Sequence, residues 1–108
     1  VEPKNVNYDD SVAYEASAII KDSSGTLYRL MGYNSGGGQF LQLHDSATVP
    51  ADNAVPKVLI AIAATANFDI DLGEIGRLFN NGIVVCNSST EATKTIGAAD
   101  CWFSAWYK

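Results

Sequence analysis

The sequence predicts an all-β fold: a compact β-sandwich or jelly-roll-like domain of about seven to eight short strands. Three observations predict it. Apolar residues alternate with polar ones at period two through several short segments. Clusters of Gly, Asn, Asp, Ser and Pro separate these segments at short intervals. No stretch sustains the 3.6-residue periodicity of a long amphipathic helix. With 47% apolar residues in 108, the chain has enough material for one core at the commonest domain size. Residues 11–108 are therefore expected to form a single β-sandwich domain behind an N-terminal surface arm, 1–10.

The arm is the polar lead-in that ends at Asp10, with Pro3 and two asparagines. It shows neither the basic start nor the apolar stretch of a signal peptide. From Val12 to Lys21 the residues alternate, with Val12, Tyr14, Ala16, Ala18 and Ile20 on one face and Glu15, Ser17 and Lys21 on the other. Ala and Glu would also suit a short helix here. The Ile19-Ile20 pair and the following Asp22-Ser23-Ser24-Gly25 turn favour a strand and hairpin. Thr26 to Tyr33 is then the return strand. Three consecutive glycines, Gly36 to Gly38, end it in a flexible loop, since glycines cost too much entropy inside an element. The next segment, Gln39 to Asp45, is strand-like, so the helix and Lys/Ser pattern of a phosphate loop are lacking.

The segment between Pro50 and Pro56 reads as a long irregular crossover. Lys57 to Ala63 is apolar at successive positions, the pattern of a strand covered on both sides. Asn67 to Leu72 alternates, with Phe68, Ile70 and Leu72 inward and Asp69 and Asp71 outward. Gly73 and Gly76 bracket a turn, and Arg77-Leu78-Phe79 is a short strand or one helical turn. The last third holds two strands, Gly82 to Asn87 and Asp100 to Tyr107, joined by a hydroxyl-rich surface loop. The long connections after Asp45 and Asn87 point to strands that switch sheets.

Charge narrows the partners. The net charge is −5 with no Lys/Arg cluster, so direct contact with nucleic acid is not expected. The longest apolar run, Val58 to Ala64, is far shorter than the roughly 20 residues of a membrane-spanning helix.

No catalytic constellation assembles from spacing, and the chain is not expected to be an enzyme or to hold a cofactor or metal. His44 is the one histidine; on a strand its neighbour Asp45 points to the opposite face, so the two do not readily hydrogen-bond, and a structural or interface histidine is expected ahead of a metal ligand or general base. Asp69 and Asp71, with Asp9 and Asp10, are read as solvated carboxylates, because no Asp/Gly calcium loop frames them. Cys86 and Cys101 are read as buried packing thiols, although antiparallel pairing of their strands would leave a disulfide open. Asn87-Ser88-Ser89 matches a glycosylation sequon in form. In the last strand Cys101, Phe103, Ala105 and Tyr107 share one face, and Trp102, Ser104 and Trp106 the other. Trp102 and Trp106, with Tyr107 and Tyr8, are the candidate interface or ligand residues, suited to subunit packing or to stacking on sugars.

The run Asn81-Gly82-Ile83-Val84-Val85-Cys86-Asn87-Ser88-Ser89-Thr90, with Thr93 to Gly97 and Asp100 to Phe103 behind it, resembles a group of small proteins encoded among the structural genes of tailed bacteriophages. The similarity extends weakly through Gln39 to Asp45 and Val49 to Asp52. The resemblance implies a virion component on the capsid surface, a decoration or cement protein. Its partner would be the major capsid protein, and it would assemble as a homotrimer by analogy. It assigns no catalytic or binding residue. The alternative expectation is a sugar-binding β-module of a phage tail fibre or spike.

Overall fold

The computed structural model describes residues 6–108, which form nine strands and no helix. The strands are β1 (Asn7–Asp10), β2 (Ser17–Lys21), β3 (Gly25–Asn34), β4 (Gln39–Asp45), β5 (Val58–Ile62), β6 (Ala66–Asp71), β7 (Arg77–Phe79), β8 (Ile83–Ser88) and β9 (Cys101–Tyr107). They make two antiparallel sheets. Sheet A runs β1-β9-β3-β6, with the short β7 continuing beside β3, and sheet B runs β2-β8-β4-β5.

The pairing follows one rule. Antiparallel pairs nest from the inside outward: β4 with β5, β3 with β6, β2 with β8 and β1 with β9. That is the pattern of one long two-stranded ribbon. Successive pairs of the ribbon fall alternately in sheets B and A, and β4·β8 and β3·β9 contacts knit the coils together. The result is the rolled, two-sheet order of a jelly roll, a β-sandwich as the alternation predicts.

Rolling explains why short connections cross between sheets. The turn after Lys21 looks like a hairpin in the sequence, yet β2 lies in sheet B and β3 in sheet A. The glycine loop after Asn34 likewise carries the chain from sheet A back to sheet B. Conversely, the long segment between β4 and β5 does not switch sheets, because those strands are neighbours in sheet B.

The core lies between the sheets. Sheet A contributes Leu27, Leu30, Phe68, Ile70, Phe79, Phe103 and Ala105, and sheet B contributes Ile20, Leu41, Leu43, Ile62, Ile83 and Val85. Each such side chain, fully withdrawn from water, contributes on the order of 1.5–3 kcal/mol for the larger types. Phe68 and Phe103 meet across β6 and β9 with ring centroids 6.1 Å apart. The Gly73/Gly76 turn forms as the sequence requires, with φ of 81° and 73°, values that a side chain would strain.

Several expectations change. Residues 1–5 of the expected arm lie outside the described residues, and its remainder includes β1, an edge strand paired with β9 from Asn7↔Tyr107 to Asp10↔Ser104. The strand expected over Val12 to Lys21 starts only at Ser17; Val12 is 95% exposed, since residues 11–16 are the link from sheet A to sheet B. β5 is not covered on both sides, because Leu59 and Ala61 face outward at a sheet edge. The doubly covered strand is β8, buried at every position.

That second cover comes from loops. Residues 46–57 and 89–100 fold over the outer face of sheet B and bind each other through Asn53 N to Lys94 O and Lys94 N to Ala54 O, both 2.8 Å. Beneath them, Gln42 donates its amide hydrogens to the carbonyls of Thr90, Glu91 and Thr93. Its amide oxygen is left to accept from His44 Nε2 at 3.1 Å. These buried polar groups are therefore satisfied, which is the condition for keeping them inside.

Candidate functional site

β9 is an interior strand of sheet A, between β1 and β3. Its odd positions enter the core: Cys101, Phe103 and Ala105 are buried, and Tyr107 packs against the same cluster. Its even positions face away. Tyr107 is thus separated from the other expected site residues, because alternation along the strand sends it to the core side.

On the outer face the pairing registers set three rows across the sheet. The first is Tyr8, Trp106, Arg29 and Asp71; the second is Asp10, Ser104, Met31 and Asp69; the third is Trp102, Tyr33 and Asn67. Trp102 and Trp106, four residues apart on one extended strand, stand about 13 Å from each other. Tyr14, on the link between the sheets, packs edge-on against Trp102 with centroids 5.9 Å apart. Tyr8 meets Trp106 in the same way at 6.0 Å. Edge-to-face contacts of this kind hold aromatic rings in a set orientation. Tyr8, Tyr14 and Trp102 remain 65%, 49% and 36% exposed.

Charge completes the face. The Arg29 guanidinium lies 5.4 Å from the Trp106 ring centroid and donates through Nε to Asp69 at 2.9 Å. That hydrogen bond, ahead of any other influence, holds the Asp69 carboxyl below the ordinary carboxylate range. Ser104 donates to Asp10 alongside. A shallow depression beside Trp106 is lined by Tyr28, Arg29, Asp71, Gly73 and Glu74. Neither Arg29 nor Tyr14 stands out as a site residue in the sequence. The register of β3 against β9, a long-range fact, is what puts Arg29 beside Trp106.

The remaining candidates sit elsewhere. His44 is buried under the loop cover of sheet B, where desolvation and then the Lys94 charge push its pKa below the usual value. Asp45 points the other way, as strand alternation demands, and accepts hydrogen bonds from the backbone N–H groups of Asn80, Asn81 and Gly82. Cys86 and Cys101 are unpaired, fully buried thiols on different sheets. Burial pushes both up to about 11, far from the thiolate character of a reactive cysteine. Asn87 is fully buried and donates to Ala98 O and Asp100 Oδ1, so the folded chain does not present its sequon. Asp9, Asp10 and Glu15 approach one another at the mouth between β1 and β2. Asp9 is raised there by burial, then by Glu15 and Asp10. No cluster of three or more ligating side chains suited to a metal occurs among the described residues.

No protein-family model, curated protein or solved structure matches the chain.

Proposed function

We propose that the chain is a structural component of a bacteriophage virion, a capsid decoration protein that binds the outside of the head and stabilises capsomer junctions. It acts as a binding module and not as an enzyme, with the major capsid protein as its partner and a homotrimer as its assembled form. One observation carries the reading: on the outer side of sheet A, Tyr8, Tyr14 and Trp102 stand exposed and Trp106 is partly buried, braced in two pairs, Tyr8 with Trp106 and Tyr14 with Trp102. Pre-ordered aromatic anchors ringed by polar groups are what protein contact faces use, because little entropy is lost when they dock. The resemblance of the Asn81–Thr90 motif to phage structural proteins supplies the partner, and the trimer rests on analogy. Binding to the assembled head alone would stabilise that state by mass action.

The test is to mix the purified protein with undecorated phage heads. Saturable, symmetric occupancy of the head surface supports the proposal. Attachment to tails or host cells with none to heads overturns it.

A second reading is favoured by the depression beside Trp106, where an aromatic ring adjoins Asp71 and Glu74. An aromatic wall with carboxylate acceptors suits a sugar ring, and jelly rolls serve lectins as well as capsids. Under this reading the chain is the sugar-binding module of a tail fibre or spike, and glycans shift its tryptophan fluorescence.

A further inference from the structure

We infer that the β5 edge of sheet B is an interface between two copies of this chain, formed by antiparallel pairing of β5 with β5 of a second copy. The edges of the two sheets are unequally protected. A sheet edge left open presents unpaired N–H and C=O groups, and proteins blunt it with charges, bulges or very short strands. The two sheets here end at β1, at β6 with β7, at β2 and at β5. β1 carries Asp9 and Asp10, and β6 carries Asp69 and Asp71. β7 has three residues and includes Arg77. β2 is broken by a register shift between Ile19 and Lys21 and ends on that lysine.

β5 has none of these devices. Its sequence, Val58-Leu59-Ile60-Ala61-Ile62, holds no charge, proline or glycine, and it pairs with β4 in unbroken register. It is also incompletely covered for so apolar a strand. Val58 and Ile60 point toward the core yet are half-buried, and Leu59 on the outer side is 43% exposed.

The strand is complementary to itself, which identifies the occupant. Antiparallel pairing centred on Ile60 sets Ile60 opposite Ile60, Leu59 opposite Ala61 and Val58 opposite Ile62. Directly opposed residues share a face, so core-facing side chains meet core-facing ones and the two sandwiches join along one continuous sheet B. Lys57, just outside the strand, falls opposite Ala63, so the symmetric pairing sets no charge directly against its like. A two-fold axis normal to the sheet is the closed arrangement that such self-pairing requires. The contact lies on sheet B and leaves the aromatic face of sheet A free, so it stands or falls separately from the virion reading.

The experiment measures solution mass by light scattering for four samples. These are the wild type, the double variant Leu59→Lys with Ala61→Lys, the double variant Leu59→Glu with Ala61→Glu, and an equimolar mixture of the two variants. Both positions are exposed, so the substitutions leave the fold intact, and position 59 of one copy faces 61 of the other. The two-fold contact doubles whatever unit carries it, so the wild type is expected at an even number of chains (two, or six if the proposed homotrimer also forms), each variant at half that mass, and the mixture back at the wild-type mass. A monomeric or trimeric wild type, a variant that keeps the wild-type mass, or a mixture that stays at half mass would each overturn the inference. So would β5 amides that gain hydrogen-exchange protection only when heads are added, an outcome that gives the edge to a foreign strand.

Discussion

The Lys94 ammonium donates to the Asp52 carboxylate across 3.0 Å, and this ion pair ties together the two long loops that cover sheet B. The lysine is almost fully enclosed, while the aspartate stays half in water. The contact thus resembles a latch set into the cover, supplemented by Ile96 N donating to the same carboxylate at 3.2 Å. Replacing Lys94→Met is expected to speed amide exchange in residues 46–57 and 89–96 while leaving the strands between the sheets protected. Unchanged exchange in both loops would show that the ion pair does not hold them.

Acid should act on the fold in two stages. Desolvation, and then Lys94, hold His44 below its ordinary 6.5, so the folded state keeps it neutral while the unfolded chain protonates. Below about that value the unfolded state binds more protons, and stability falls as pH drops toward the lower folded pKa. Asp45, Asp52 and Asp69 are held below 3.8, the first by the Asn81 N–H, the others by Lys94 and Arg29. Their contribution is present above that value and is lost as pH falls through their depressed folded pKa values. Unfolding midpoints measured across pH should show both stages, and His44→Gln should flatten the first while leaving the second.

The thiols offer a direct test of burial. Neither cysteine of the folded protein should react with a thiol reagent at neutral pH, because both are enclosed and raised to about 11. In denaturant both should react promptly. Fast reaction of either one in the native protein would contradict the packing of β8 or β9.

One end of the sandwich is closed by polar side chains. Asn87 donates to Ala98 O and Asp100 Oδ1 and accepts from Gly97 N at 3.1 Å. Gln39 bridges Asn34 and Asp100 beside it. Asn87→Ala removes one member and strands its partners, which costs about 1–3 kcal/mol for each buried group left unpaired. Urea unfolding reads this loss, and a change within a few tenths of a kcal/mol would mean that water replaces the amide without penalty.

Local alternation in the sequence carried most of the strands, because Phe68, Ile70 and the two faces of β9 obey period two. It also exposed Trp102 and Trp106 as residues pointing away from the core. Pairing was less legible. A turn such as Asp22-Ser23-Ser24 serves a hairpin or a switch of sheets equally well, and only the rolled ribbon decides between them. The loop cover of sheet B was hidden for a related reason: Gln42 and Lys94 are polar residues that become buried through contacts 40 or more positions away in the chain, at Thr90, Glu91 and Asp52. β5 and β8 are both apolar at successive positions, and the sequence does not reveal which of them the loops cover.

Under the proposed function, the outer aromatic face of sheet A is the surface that meets the phage head. Binding of Trp102→Ala and Trp106→Ala to undecorated heads tests it most directly, beside the wild type and a Val12→Ala control, a residue exposed on the link between sheets. Each tryptophan variant is expected to lose about tenfold or more in affinity, as for anchors at an interface centre, and the control to lose none. Wild-type affinity in both tryptophan variants would contradict it.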